Sequence, residues 1–382
     1  MKVIAFHLPQ FHEIPENNEW WGKGFTEWTT LKKAKPLFEG HYQPRIPLNG
    51  NYYNLLEPEV MEWQCKIARE HGIYGFCFYH YWFDGHLLLE KPVEQYLQNE
   101  KCDLPFCICW ANEHWTRAWE SKKNQVLIAQ RYGGEKEWKE HFEYLLPFLK
   151  DHRYIRFNGK PLVVIYRPEL IDCLNDMLDC WQRLAAEAGI GKLSFAYQYV
   201  NFDLDDNKDD SRFDYAIEYQ PVYANRYMSL QNGNKNKTKE KVKVFFEKNF
   251  NIILDTNSIK RLWREGPKKI DYDRVWNYIL KSKPKDEKHL PGAFVDWDNT
   301  PRKGENGTVY ENVSPEKFGR YMKDLIIKAK EEYHKDCIFV FAWNEWSEGG
   351  YLEPDERNGY ANLEQIRKAL EETGELPEEE KV

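Results

Sequence analysis

Ile338-Phe339-Val340-Phe341-Ala342-Trp343-Asn344-Glu345-Trp346-Ser347-Glu348-Gly349-Gly350 reads as a buried strand that empties into two carboxylates. The run 338–342 offers no polar face to water, so both of its sides must be covered. Glu345 and Glu348 sit three apart, and in an extended chain they would point to opposite faces. They serve one cavity only if the chain turns at Trp346-Ser347, which Gly349-Gly350 permits. Two acids beside indole rings suit glycosidic-bond chemistry: one group donates a proton, one accepts, and flat rings meet the C–H face of a sugar. The competing reading is a polar loop beside core tryptophans.

Working outward, similar strand-like runs recur at 3–8, 75–79, 105–110, 162–166, 194–199, 215–219 and 292–297, which with 338–343 makes eight. Most are continuous rather than alternating, as in a parallel sheet covered on both faces. Helix-like segments lie between them at 57–71, 91–99, 135–149, 169–188, 271–281 and 315–333, and a last one at 363–371 follows the eighth strand. Eight strands alternating with helices predict an α/β chain forming a single (β/α)8 TIM barrel with loop insertions. No composition shift divides the chain, so residues 1–375 are assigned to the barrel and 376–382 to an acidic, solvated tail. The fifth and sixth units are the irregular ones. An acidic loop at 201–212 has no clear helix, and 232–243 is a Lys/Asn-rich insertion.

At 382 residues the chain exceeds the usual size of one core, which leaves two domains or one large barrel, and the repeat pattern selects the barrel. With 54 basic against 62 acidic residues the net charge is −8, which argues against nucleic acid and anionic membrane surfaces as partners. Aromatic residues make up 16%, with 15 Trp and 24 Tyr, more amphipathic rings than a core needs and suited to an oligosaccharide or polysaccharide. The chain passes at once into a strand-like run after Met1-Lys2, with no secretory pattern, and no run of 18 apolar residues predicts a membrane span. Eight scattered cysteines without CxxC or zinc spacing read as buried, reduced thiols, giving an expected cytoplasmic location. His80 and His86, or His7 and His12, lack the spacing or the third ligand of a metal centre, and no GxGxxG or P-loop pattern occurs, so neither metal nor cofactor is expected.

A barrel of this kind places its site at the C-terminal strand ends. That marks His7 and Gln10 after the first run; Tyr79, His80, Tyr81 and Trp82 at the second; Trp110, Asn112, Glu113, Trp115 and Arg117 at the third. Tyr166, Gln198, Gln220, Asp296 and Trp297 follow the next four, and Asn344 and Trp346 flank the acids of the eighth. Hydrogen-bonding groups alternating with rings fit a polyhydroxylated ligand. Trp110-Ala111-Asn112-Glu113 echoes Trp343-Asn344-Glu345, so Glu113 with Glu345 across the mouth is an alternative catalytic pair.

Longer motifs carry a resemblance. Phe6-His7-Leu8-Pro9-Gln10-Phe11-His12, Trp20-Trp21-Gly22-Lys23-Gly24-Phe25-Thr26-Glu27-Trp28, His41-Tyr42-Gln43-Pro44-Arg45, Tyr79-His80-Tyr81-Trp82, Trp110-Ala111-Asn112-Glu113-His114-Trp115-Thr116-Arg117 and Trp343-Asn344-Glu345-Trp346-Ser347-Glu348-Gly349 are similar to those of the WbsX-like proteins. These form a bacterial polysaccharide-cluster branch related to glycoside hydrolase family 99. The resemblance spans nearly the whole chain. It implies a (β/α)8 barrel and a metal-independent, retaining α-mannoside-type hydrolase lineage, and it adds Trp28 to the substrate-binding set. It also implies catalytic roles: Glu345 the base that deprotonates the substrate's own 2-hydroxyl, which attacks C1 to give an anhydro-sugar, and Glu348 the acid that protonates the leaving oxygen. Ser347 stands where the endo-mannosidases typically carry His, which bears on substrate identity. Three classes of function follow: a hydrolase or transglycosylase needs both acids, a glycosyltransferase of O-antigen or capsular polysaccharide biosynthesis needs a diphosphate site, and a glycan-binding protein needs only the rings.

Overall fold

The computed structural model describes residues 1–116, 126–198, 200–205, 208–230 and 266–377. Arg117 and the insertion at 232–243 lie outside these residues, as does the tail from 378. Eight parallel strands form the centre: β1 (Lys2–His7), β2 (Ile73–Phe83), β3 (Phe106–Trp110), β4 (Lys160–Ile165), β5 (Ser194–Tyr197), β6 (Tyr215–Ile217), β7 (in two pieces, His289–Leu290 and Gly292–Phe294) and β8 (Cys337–Phe341). Neighbours pair in parallel in the order β7-β6-β5-β4-β3-β2-β1-β8-β7. The ring therefore closes through one interrupted strand.

The interruption has a chemical cause. Pro291 has no N–H to give to a ladder, so the first half of β7 pairs with β6 and the second with β8. Backbone bonds from Glu218 N–H to the Leu290 carbonyl (3.0 Å) and from Phe339 N–H to the Pro291 carbonyl (3.1 Å) bridge the gap. Gly292 is required there, because any Cβ would overlap the Glu218 carbonyl oxygen.

Helices Pro58–Glu70, Lys91–Gln98, Glu135–Lys150, Leu174–Glu187, Tyr272–Lys281, Pro315–Lys328 and Ala361–Glu372 are where the apolar periodicity places them, and each buries one apolar stripe. The segment 169–188 differs at its start, where a 3-10 turn (Pro168–Leu170) precedes the helix. Further helices at Pro15–Trp21, Glu27–Lys33, Val222–Leu230 and Thr300–Lys303 follow strands β1, β6 and β7, where sequence periodicity is too short to register. The loop at 201–212, in which the sequence shows no clear helix, begins in a helical turn (Val200–Asp203), and the buried Asp203 carboxylate takes ion pairs from Lys208 (3.0 Å) and Lys285 (2.7 Å). Residues 375 and 376 are also anchored: the Met1 amine donates to the Glu375 carbonyl (2.7 Å) and carboxylate (3.0 Å), and Leu376 packs on the core.

Strand parity sorts the side chains into two layers. Phe76, Phe78, His80 and Trp82 of β2 point outward: Phe78 meets Tyr96 of a covering helix, and His80 and Trp82 meet His141 and Tyr144. Tyr79 points into the bore, where its ring stacks on Phe6 (5.6 Å) and its hydroxyl accepts from Gln198 Nε2 (3.0 Å). Phe339 and Phe341 of β8 face the same bore, against Phe6 and Tyr219.

Candidate active site

After β8 the chain makes the turn that the two acids require. Asn344–Glu345 pairs antiparallel with Gly350–Tyr351, and Trp346–Glu348 between them is a single 3-10 turn. Three residues per turn bring positions i and i+3 onto one side, so Glu345 and Glu348 look the same way. Gly349 closes the turn at φ 70°, a left-handed conformation, and its bare Cα lies against the Asp298 amide.

Both acids converge on the guanidinium of Arg302. Its Nη1 donates to Glu348 Oε1 (2.6 Å), and its Nη2 donates to Glu345 Oε2 (3.3 Å) and to Glu27 Oε1 (2.6 Å). One cation therefore gathers three carboxylates, two from the acid turn and one from near the start of the chain. Arg302 sits on the helix Thr300–Lys303 and Glu27 opens the helix Glu27–Lys33. The Arg302 helix is locked to the acid turn by Asp298, whose N–H donates to the Glu348 carbonyl (2.7 Å). The Asp298 carboxylate accepts from His41 Nε2 (2.9 Å), Gln43 Nε2 (2.7 Å) and the Thr300 hydroxyl (2.6 Å). Burial would raise its pKa, but these partners and Arg45 hold it at about 2.

The electrostatics separate the members. Burial, aided by Glu348 and Glu27, raises Glu345 well above the usual carboxylate range, with Arg302 acting in the opposite sense. Arg302, whose burial alone would favour its neutral form, is held firmly charged by Glu27, Glu348 and Glu345. Glu345 is the more enclosed of the pair, its side chain 8% exposed against 19% for Glu348. The bore residues Tyr79, Tyr81 and Tyr219 lie within electrostatic reach of Glu345. Tyr81 also feels Glu113, which accepts from Arg167 Nη1 (3.2 Å) on the opposite side of the mouth.

The residues marked at the strand ends fall into two groups. Tyr79, Tyr166, Gln198, Glu113 and Trp297 line the bore or its mouth: Tyr166 meets Tyr79 and Tyr219, and the half-buried Trp297 ring lies on Phe341 (5.1 Å). Gln10 is buried, its carbonyl accepts from the Glu27 N–H (3.0 Å), and its side-chain Oε1 has no hydrogen-bond partner among the described residues. The others do structural work. His80 shares a hydrogen bond with His141 (2.9 Å), Trp82 stacks on His141 and Trp110 meets His141 edge-on, all outside the strands. Burial holds His80 at about 3 and His7 at about 4, so both are neutral rings. His7 bonds Gln64 (3.0 Å), which donates to Glu353 (2.7 Å), and Glu353 also takes the Trp346 indole N–H (2.7 Å). Trp346 is wholly buried and stacked on Tyr351, and Trp28 gives its N–H to the Tyr53 carbonyl, so neither ring presents a face to a ligand.

Asn112 clamps Arg167 through two backbone bonds (2.7 and 2.8 Å), and Asn344 does the same to Leu8 (2.7 and 3.0 Å). Gln220 accepts from the Ala224 N–H (3.1 Å) and Trp115 packs with Trp20, Tyr81 and Phe83. Asp296 is the counter-ion of Arg45 (2.7 Å).

Arg302 and Glu27 were not among the residues singled out from sequence, and neither stands at a strand end. Glu27 lies inside the Gly24-Phe25-Thr26-Glu27-Trp28 motif, so a signal for it existed, whereas Arg302 in Thr300-Pro301-Arg302 carries no motif of its own.

Comparison with known proteins bears on the family and the fold. A family model described as "Glycosyltransferase WbsX" matches residues 3–366. The uncharacterized protein WxcX of Xanthomonas campestris pv. campestris (strain ATCC 33913) is 35% identical over 372 residues, 96% of this chain and 49% of that protein, and the same protein of strain B100 matches equally. The chain thus spans about half the length of the curated relatives it matches. Among solved structures, the GH99 endo-alpha-mannosidase from Bacteroides thetaiotaomicron superposes with a TM-score of 0.53 at 14% identity, covering 98% of both chains. A glycoside hydrolase-like protein reaches 0.57 at 13% identity, covering 96% of this chain and 93% of the other.

Proposed function

The chain belongs to the WbsX family, and from that premise and the acid turn we propose that it is a glycoside-active enzyme cleaving or transferring a bacterial polysaccharide or oligosaccharide, with Glu345 and Glu348 as the catalytic pair. The observation that carries the reading is the convergence of both acids on one buried guanidinium beside a bore lined with tyrosines. One proton belongs to this turn, because burial raises a carboxyl there above its usual range. Burial favours it on Glu345 in the free site, and the likeness in fold to the endo-alpha-mannosidase supports roles in which Glu345 acts as base and Glu348 as acid. The proton must then pass to Glu348 as the sugar enters, with Arg302, bonded to both, balancing the charge on either. Glu345 takes the 2-hydroxyl proton while that oxygen attacks C1, and Glu348 gives its proton to the departing oxygen. Water then opens the anhydro-sugar with the roles reversed.

Amide variants test this. Glu348→Gln should lose turnover of ordinary glycans yet retain it on a substrate with a dinitrophenol leaving group, which departs without a proton. Glu345→Gln should be inactive on both. If neither lowers turnover by more than about tenfold, only ~1.4 kcal/mol of transition-state stabilisation, the pair is not catalytic. Rescue in Glu113→Gln instead would move the acid to Glu113. The family's description as a glycosyltransferase favours a second reading, transfer from a nucleotide sugar. Calorimetry with a nucleotide sugar against an oligosaccharide separates the two.

A further inference from the structure

Glu353 follows the acid turn in the chain and is buried at 2% exposure, yet no step of the proposed reaction uses it. Its N–H donates to the Trp343 carbonyl (3.2 Å), which sets it beside the end of β8. Its Oε1 accepts from Gln64 Nε2 (2.7 Å), on the helix Pro58–Glu70. Its Oε2 accepts two bonds, from the Tyr53 hydroxyl (2.8 Å) and from the Trp346 indole N–H (2.7 Å). Each of these donors is neutral. Burial accordingly raises the Glu353 carboxyl to about 7, with the Trp346, Tyr53 and Gln64 bonds acting in the opposite sense. Burying a charge on neutral donors opposes folding, whereas the directions of the bonds fix the residues that make them.

Those bonds reach both neighbours of Glu345. Trp346, the residue after it, is bonded directly. Asn344, the residue before it, donates through Nδ2 to the same Tyr53 hydroxyl (3.4 Å), and its amide is otherwise clamped on the Leu8 backbone beyond β1. Any rotation of Asn344-Glu345-Trp346 about its own axis would break these contacts. We propose that Glu353 is a positioning residue, which through Tyr53 and Trp346 fixes the direction in which Glu345 presents its carboxylate to the substrate. The proposal rests on the reading of Glu345 as the base. A reacting group displaced by about 1 Å loses on the order of a hundredfold in rate.

The test removes one donor at a time from the whole chain. Tyr53→Phe deletes only the hydroxyl, and Trp346→Phe keeps a ring against Tyr351 while deleting the N–H. Kinetics on an α-mannan oligosaccharide and its dinitrophenyl glycoside should show kcat lowered about tenfold in each variant with KM within about twofold, because the base is misplaced and not the sugar. The loss should persist on the dinitrophenyl substrate; recovery there would put the fault at Glu348 and overturn the proposal. Glu353→Leu should lose more, and Glu353→Gln should recover most of that loss. The glutamine keeps one oxygen for Tyr53 and Trp346 and turns its amide to Gln64, which reverses its own amide against the neutral His7 ring.

A second readout needs no substrate. The Glu345 carboxyl resonance in a carbon-13 titration, identified by its loss in Glu345→Gln, should shift its midpoint by at least about half a pH unit in Tyr53→Phe and Trp346→Phe, since its burial and its distance to Arg302 set it. Lowered melting temperatures with unchanged kcat and unchanged titration would make the network merely structural and overturn the proposal. A shifted titration without turnover of either substrate would leave the positioning standing and remove the catalytic reading. Turnover abolished in Glu345→Gln but unaltered in the Tyr53 and Trp346 variants would remove the positioning alone.

Discussion

At the scale of single residues, side-chain direction decides more than residue type. Trp346 neighbours both acids in sequence, yet its ring is wholly buried, stacked on Tyr351 and bonded to Glu353. Trp346→Ala should therefore cost about 3–5 kcal/mol of folding stability, the usual loss for emptying a core tryptophan, measured by denaturant titration. A variant with normal stability and weakened glycan binding would return the ring to the ligand. His289 gives a pH signature. Although burial opposes its charge, Asp203 and Glu218 raise it from the ordinary 6.5 to about 9. A raised histidine stabilises the fold fully below about pH 6.5, and that contribution is lost as pH rises through about 9, roughly 3 kcal/mol in all. Unfolding free energies at pH 6 and 10 should show that drop for the unaltered protein and not for His289→Gln; an equal drop in both would remove the assignment.

At the scale of elements, the closure of the ring is concentrated in one strand. Pro291 splits β7 between two partners, and Gly292 lets the second half pass the Glu218 carbonyl. Gly292→Ala adds only one methyl group, but it presses on backbone rather than on a movable side chain. A loss of at least about 3 kcal/mol is expected, the upper part of the range for overpacking, seen as a lower denaturation midpoint at unchanged slope. Stability within 1 kcal/mol of the unaltered protein would mean that the two strands part easily there. The same local chemistry recurs at the acid turn, where Gly349 adopts φ 70° against the Asp298 amide, so the strand end and the Arg302 helix approach as closely as backbone allows.

At the scale of the molecule, the Met1 amine meets Glu375, and β1 lies between β2 and β8. Segments from both ends of the described residues thus pack on the same ring, and residues 1–375 are expected to unfold in one cooperative transition. Calorimetry should give a single peak; two separable transitions, or two protease-resistant fragments that refold alone, would divide the chain instead. The eight strands, seven covering helices and the placing of both acids at a strand end were legible in sequence, because apolar periodicity and strand-end position are local properties. Parity was legible too: along Tyr79-His80-Tyr81-Trp82, alternation alone separates bore from helix layer, and listing all four as site residues overlooked it. Residues joined only across the fold were not. Arg302 lies 43 and 46 positions before the acids it holds and 275 after Glu27, so their meeting depends on loops from β1, β7 and β8 converging on one rim. Sequence fixed which groups were present and on which elements. Burial of three carboxylates around one cation, and with it the raised pKa of Glu345, exists only once the barrel has closed and driven water from between them.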